Sequence, residues 1–339
     1  MRHALAGLAL IATAFSGVLA VERQDQGRWN WGVGTDSGMD SGTAAPPVPA
    51  DNPMSADKVA LGRRLFYDAD LSINGTMSCA TCHEQRHAFA DGNRTHPGAL
   101  DDPGRRNVPA LQNLAWLSPL TWADPRQTTL EKQASVPILG DHPVEMAMQG
   151  HEAEIGHRLG RDPCYRTMFR KAFPGDGGRI DYAHAVKALA AFERTLISRG
   201  SDWDRFTDGQ ADALSAEAGQ GLAVFRRECA SCHSGRDLTD MQFHRVGPVG
   251  SDHGLAEISA VPGDVGKFRT PSLRNIAVTA PYLHDGSAPT LADAIAAHEG
   301  LAVGDDMPAL LAFLNSLTDR AFLADPRLSL PMEACGRRL

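Results

Sequence analysis

Aromatic residues make up only 6% of this 339-residue chain. Runs that alternate apolar and polar residues are scarce, so helical signals carry most of the fold. Past Val18 no stretch is long and apolar enough to cross a bilayer. Long runs of like charge are missing too. The formal net charge of -8 is spread along the chain, which argues against a nucleic-acid partner and leaves a protein or a small molecule. Cysteine is sparse, with six residues in all. None lies just after the N-terminal apolar run, so a lipid anchor is not indicated.

Four of the six cysteines sit in two short strings, Cys79-Ala80-Thr81-Cys82-His83 and Cys229-Ala230-Ser231-Cys232-His233. Each is a C-x-x-C-H, the attachment signal for c-type haem. The two thiols form thioethers to the porphyrin vinyl groups, and the histidine takes one axial position on the iron. Only a spacing of two residues lets both sulfurs and the imidazole meet one macrocycle. The alternative, two C-x-x-C pairs holding one zinc, leaves both following histidines without a role. Two haems also bring large apolar plates that offset the low aromatic content. Cys164 and Cys335 remain; in an oxidising compartment they pair as a disulfide or stay as two buried thiols.

Arg2 and His3 precede an apolar run from Ala4 to Val18, and Val18-Leu19-Ala20 offers small residues for cleavage. Residues 1–20 therefore read as a secretory signal peptide, too short for a membrane span. Export places the mature chain in a bacterial periplasm, consistent with haem attachment outside the cytoplasm. Roughly 320 residues then remain, which suits two domains. Residues 21–54, rich in Gly, Pro, Ser and Asp and carrying Trp29 and Trp31, read as an extended arm. Residues 55–205 form an N-terminal haem domain and 206–339 a C-terminal one whose tail packs back. The expected fold class is mainly α: two cytochrome c-like domains, each with one covalently bound haem.

Ser55 is a candidate N-cap for a helix carrying Val59, Leu65 and Phe66. Tyr182 to Ser198 places Val186, Leu189, Phe192 and Leu196 on one helical face. Ser215 caps a segment with Leu222 and Phe225 that runs into the second haem motif. Asp306 and Pro308 open a last helix with Leu310, Leu311, Leu314 and Leu317. The internal repeat is confined to the haem motifs and the helices leading into them.

The second axial position decides function, because an iron with one open face binds peroxide whereas a fully ligated one only passes electrons. Here the residues resemble a known family. Pro46 to Met54, Leu61-Gly62-Arg63-Arg64-Leu65-Phe66-Tyr67-Asp68, Phe192-Glu193-Arg194-Thr195-Leu196, Phe268 to Asn275, and Thr279-Ala280-Pro281-Tyr282-Leu283-His284-Asp285-Gly286 look like the bacterial di-haem cytochrome c peroxidase/MauG family. The likeness runs from about Pro46 to Leu317. Gly140-Asp141-His142-Pro143-Val144-Glu145 is similar to the MbnH-like branch, the MauG-like enzymes of methanobactin gene clusters.

The resemblance implies roles. The haem on His83 is the peroxide-reactive one, with Gln133, Pro137 and Glu145 as its distal residues, although the stretch between Pro137 and Glu145 is about two residues longer than in the family. A carboxylate over an open iron can move a proton between the oxygens of peroxide. The haem on His233 is the electron relay. Its second ligand in the family is Met or Tyr, and the matching position here is His298, with Met307 as its competitor. Trp122 matches the tryptophan between the haems, with one extra residue before Arg126. Asn107, Thr279 and Pro281 match a calcium site that uses one side-chain and two backbone oxygens. His96 is the residue that would close the first haem in some peroxidases. His244 and His284 are read as haem-propionate or structural contacts, and Trp203 as a packed residue or an exit for an oxidising hole.

Two functions follow. In the first, hydrogen peroxide raises both irons to a high-valent state, and a residue on a periplasmic protein substrate is oxidised at long range. The resemblance implies an MbnP-like copper-binding protein whose Trp becomes kynurenine. In the second, the protein reduces hydrogen peroxide to water with electrons from a small cytochrome c. A third class, a pure electron-transfer cytochrome, needs both haems fully ligated, and Glu145 speaks against it.

Overall fold

The computed structural model describes residues 45–339; residues 1–20, read above as a signal peptide, Trp29, Trp31 and most of the expected arm lie outside the described residues. The first unit holds helices α1 (Ala56–Phe66), α2 (Cys79–Cys82), α3 (Leu130–Leu139), α4 (Glu152–Arg161), α5 (Pro163–Ala172) and α6 (Tyr182–Glu193). Helices α7 (Asp202–Thr207), α8 (Ala216–Glu228), α9 (Ala256–Ser259), α10 (Leu291–Ala296), α11 (Met307–Asn315) and α12 (Arg320–Ala324) follow. Strands β1 (Phe243–Arg245) and β2 (Lys267–Arg269) pair antiparallel with Phe243 opposite Arg269 and His244 opposite Phe268. Two-residue strands β3 (Glu333–Ala334) and β4 (Arg337–Arg338) pair in the tail. Among the described residues no helix is long and apolar enough to cross a membrane.

The capping signals act as read. Ser55 accepts from Lys58 N at the start of α1, and Ser215 from Ala218 N at the start of α8. Helix α6 stops at Glu193, short of Ser198. There the Thr195 hydroxyl takes the Phe192 carbonyl at 2.6 Å and the Asn113 side chain takes Ser198 N at 2.9 Å, so side chains replace the helical ladder. Leu196 is nonetheless fully buried. Helix α11 is not the last, since α12 follows it.

Each unit is built on one crossing. An added Cβ on Gly62 of α1 would stand 1.9 Å from the Ala188 carbonyl oxygen of α6. On Gly221 of α8 it would stand 1.8 Å from the Ala309 oxygen of α11. Only glycine permits that approach. Four residues further on, Phe66 meets Phe192 at 5.3 Å, and Phe225 meets Phe313 at 4.8 Å between ring centroids. The repeat therefore reaches beyond the motif and its leading helix to the closing helix of each unit.

Apolar burial follows these crossings. One cluster gathers Leu61, Leu65, Phe66, Leu189 and Phe192; the other gathers Leu222, Phe225, Leu310, Phe313 and Leu317. Trp203 joins the second cluster, edge-on to Phe313 and stacked on Phe206. Phe322 and Leu328 return to the first cluster. Tyr67 Oη donates to Leu328 O at 2.7 Å, and Cys335 is disulfide-bonded to Cys164 on α5.

Candidate haem sites

The first C-x-x-C-H occupies α2 and the residue after it. Cys79, Cys82 and His83 line one narrow cavity with Gln133, Pro137 and Glu145. Gln133 and Pro137 share a face of α3 because they are four residues apart. Proline at that position cannot donate to the Gln133 carbonyl, and α3 ends two residues later. The chain then turns back along the helix end, with Met146 N donating to Pro137 O at 2.9 Å and Met148 N to Ile138 O at 3.0 Å. This return sets Glu145 in the cavity wall. A Cβ on Gly98 would lie 1.8 Å from Val144 O, so glycine there lets the 98–102 turn close behind Glu145.

The second motif lines a separate cavity of about 1220 Å³, together with His298, Trp122, Asn107, Thr279 and Pro281. The two C-x-x-C pairs thus face different cavities, which rules out one shared zinc. All four thiols are free of disulfides. Burial pushes the Cys82 thiol up to about 12 and Cys229 up to about 11.

The three candidate axial histidines share one arrangement. Nδ1 of His83 bonds to Phe89 O at 2.6 Å, Nδ1 of His233 to Leu238 O at 3.2 Å, and Nδ1 of His298 to Ala294 O at 2.8 Å. With Nδ1–H donating to a carbonyl, each ring keeps the Nε2 lone pair for a metal. Phe89 and Leu238 both sit at positive φ, 62° and 53°. That strained backbone is held by local hydrogen bonds and turns each carbonyl toward its histidine. Burial lowers both His83 and His233 to about 4, which keeps them neutral, the form that binds iron.

His233 and His298 face each other with ring centroids 6.5 Å apart. A metal–imidazole bond of about 2 Å plus roughly 1 Å from nitrogen to ring centre, doubled, predicts about 6 Å for two rings sharing one metal. The pair therefore fits an iron between them. Met307 packs in the second apolar cluster and is not in the cavity wall. His96 bonds its own Pro97 carbonyl and is absent from the first cavity's wall, although its charge reaches Glu145. His284 stacks on Phe268 with centroids 3.6 Å apart, and His244 pairs with Asp240 at 2.7 Å.

Trp122 donates Nε1–H to Asn107 O at 2.8 Å, and its own carbonyl accepts from Arg269 N at 2.7 Å. The Asn107 amide nitrogen donates to the Asn93 and Arg94 carbonyls, and its Oδ1 carries no hydrogen bond among the described residues.

Two residues escape the motif reading. Arg269 is buried and lines the larger cavity, and its hydrogen bonds go to Thr121 O, Thr270 O and the Met241 sulfur with no carboxylate among them. A haem propionate would supply the missing anion. Glu193 lines the first cavity, is buried, and leaves one oxygen without a hydrogen bond. Its signal in the sequence is a carboxylate closing the apolar run Ala188 to Phe192. Burial raises Glu145 above the usual carboxylate range, and burial pushes Glu193 up to about 8.

Fold and site together define a two-centre, c-type redox protein. Comparison with known proteins gives the family. A model of the di-haem cytochrome c peroxidase family matches residues 56–212. The chain is 38% identical over 249 residues to methylamine utilization protein MauG of Methylophilus methylotrophus, covering 71% of this chain and 72% of that protein. It is 35% identical over 290 residues to cytochrome c peroxidase Ccp of Escherichia coli, covering 80% of this chain and 60% of that one. A solved structure described as a MauG-like protein associated with microbial copper homeostasis superposes with a TM-score of 0.82 at 36% identity, covering 90% of this chain and 100% of that one. The chain belongs to the di-haem cytochrome c peroxidase/MauG family and is a haem-dependent oxidoreductase; membership implies two c-type haems.

Proposed function

We propose that the protein is a MauG-like oxidase that consumes hydrogen peroxide at the His83 site and oxidises a residue, a tryptophan converted to kynurenine, on a partner protein. The facing pair His233 and His298 carries this reading. It gives the second site two imidazoles, while the first has one imidazole and a carboxylate. Bis-imidazole ligation favours a low reduction potential, which suits reaching oxidised states over storing an electron. The copper-homeostasis likeness supports a copper-binding, MbnP-like partner.

Haem, when bound, supplies the redox-active iron and a path for electrons; the residues supply the rest. His83 would hold its iron, with Nδ1 tied to Phe89 O. Glu145 takes a proton from one oxygen of peroxide and returns it to the other, so that water leaves. Gln133 orients the peroxide from the same helical face as Pro137, whose apolar ring limits water. Trp122, in the wall of the larger cavity, offers an indole for electron hopping between the centres. Asn107 Oδ1 and the Thr279 and Pro281 carbonyls, which line the same cavity, would supply oxygens of the kind calcium takes. Residues 1–20 act as a signal peptide for periplasmic export, residues 55–205 and 206–339 form the two haem domains, and the tail returns to the first.

The test treats the oxidised holoprotein with peroxide beside a co-expressed partner and follows the partner by mass spectrometry. A partner tryptophan that has gained one oxygen and lost one carbon, the change to kynurenine, supports the oxidase. Rapid oxidation of reduced cytochrome c, only after one haem is pre-reduced, selects the peroxidase instead, a reading that the Escherichia coli relative keeps in view.

A further inference from the structure

Glu193 closes α6 with its side chain in the wall of the first cavity, opposite no hydrogen-bond partner for one oxygen. It is 5% exposed. A buried polar atom left unpartnered in a native site calls for a function. Arg194, next to it in sequence, directs Nη2 to Glu131 at 2.6 Å and makes no ion pair with Glu193 among the described residues. Glu131 in turn accepts from Asn52 at 2.7 Å, and Asn52 accepts from Lys58 at 3.0 Å. Lys187, which donates to Asp51 O at 2.8 Å, marks where this polar cluster meets the surface. The charges that act on Glu193 are Arg194 beside it in sequence and Glu131 on α3, and Glu145 lines the same cavity.

Resting on the peroxide reading above, we propose that Glu193 is a second proton-carrying carboxyl of the His83 cavity, which supplies protons to the peroxide-derived oxygen. The balance requires such a source. Hydrogen peroxide, two protons and two electrons give two waters. Glu145 moves a proton already present in peroxide, which accounts for the first water. The oxygen that stays behind becomes water only when two more protons enter the buried cavity, as two electrons arrive from the oxidised partner. Glu193 stands in the wall of that cavity and can deliver the two protons one at a time, being re-protonated between the two electrons.

The test compares wild-type holoprotein with Glu193→Gln, Glu193→Asp and Glu145→Gln. Infrared spectra of the wild type are expected to hold a protonated-carboxyl band that disappears as pH rises through about 8 and is absent in Glu193→Gln. Glu193→Gln is expected to bind both haems and slow multiple turnover on the order of 10²-fold with a larger solvent isotope effect, the low end for a positioned acid–base group. Glu193→Asp should restore part of the rate. Wild-type turnover in Glu193→Gln, or no such carboxyl band, overturns the proposal. Should Glu193→Gln fail to take up haem, Glu193→Asp decides: slowed turnover with a shifted carboxyl band supports the proposal, and wild-type turnover with an unshifted band overturns it. A wild type inert to peroxide sinks the underlying reading instead, while loss in Glu145→Gln alone leaves that reading standing without this one.

Discussion

His233 and His298 face one another across the larger cavity with ring centroids 6.5 Å apart, each with Nδ1 engaged by a backbone carbonyl. Glu145 has the complementary place in the other cavity, on its wall with His83. The two haem motifs are alike in sequence, and their surroundings make the chemistry unequal.

Glu145 sets the first prediction. As a base it must be ionised, and burial raises its pKa above the ordinary carboxylate value of about 4.3. The rate of the peroxide reaction should therefore fall as pH drops through that raised value, so the acid limb lies above the range of an exposed glutamate. Glu145→Gln should lose on the order of 10²–10⁴-fold in rate and the acid limb with it. Stopped-flow absorbance across pH checks both.

Much of this was legible in the sequence, for physical reasons. The spacing of Cys79, Cys82 and His83 is a covalent constraint, and Ser55 and Ser215 cap because a short hydroxyl reaches orphan amides. The end of α6 was not legible, because Thr195 and Asn113 compete for its backbone from outside the helical period. Nor was the match between Ala188 and Ala309, since an alanine at a crossing differs from any other alanine only through the glycine it meets. Glu193 was hidden for the opposite reason: it lay inside a family-like string whose likeness said nothing of where the carboxylate points.

The glycine crossings give the second prediction. Gly62→Ala and Gly221→Ala each force a methyl onto a carbonyl oxygen, and repacking a close helix crossing costs about 1–3 kcal/mol. Each variant should melt earlier, with Gly62→Ala loosening the His83 unit and Gly221→Ala the His233 unit. Thermal melts followed at the two haem absorbances separate them.

The tail gives the third. The Cys164–Cys335 bond spans 171 residues of sequence and ties residues 326–339 to the first unit. Removing such a bond costs about 2–5 kcal/mol. Cys335→Ala should lower the melting temperature while haem content and the peroxide reaction persist; a fall in haem content would show that the tail also shapes the His83 site.

The coordination of the two irons separates an unequal pair of haem sites from an equal one. Low-temperature electron paramagnetic resonance of the oxidised holoprotein, beside His298→Met, reads it. One low-spin signal of bis-imidazole type and one signal from an iron with an open position are expected, with His298→Met converting only the first to a His/Met signature at higher potential. Two fully ligated irons, or a wild-type His/Met signature that His298→Met leaves unchanged, would contradict this assignment.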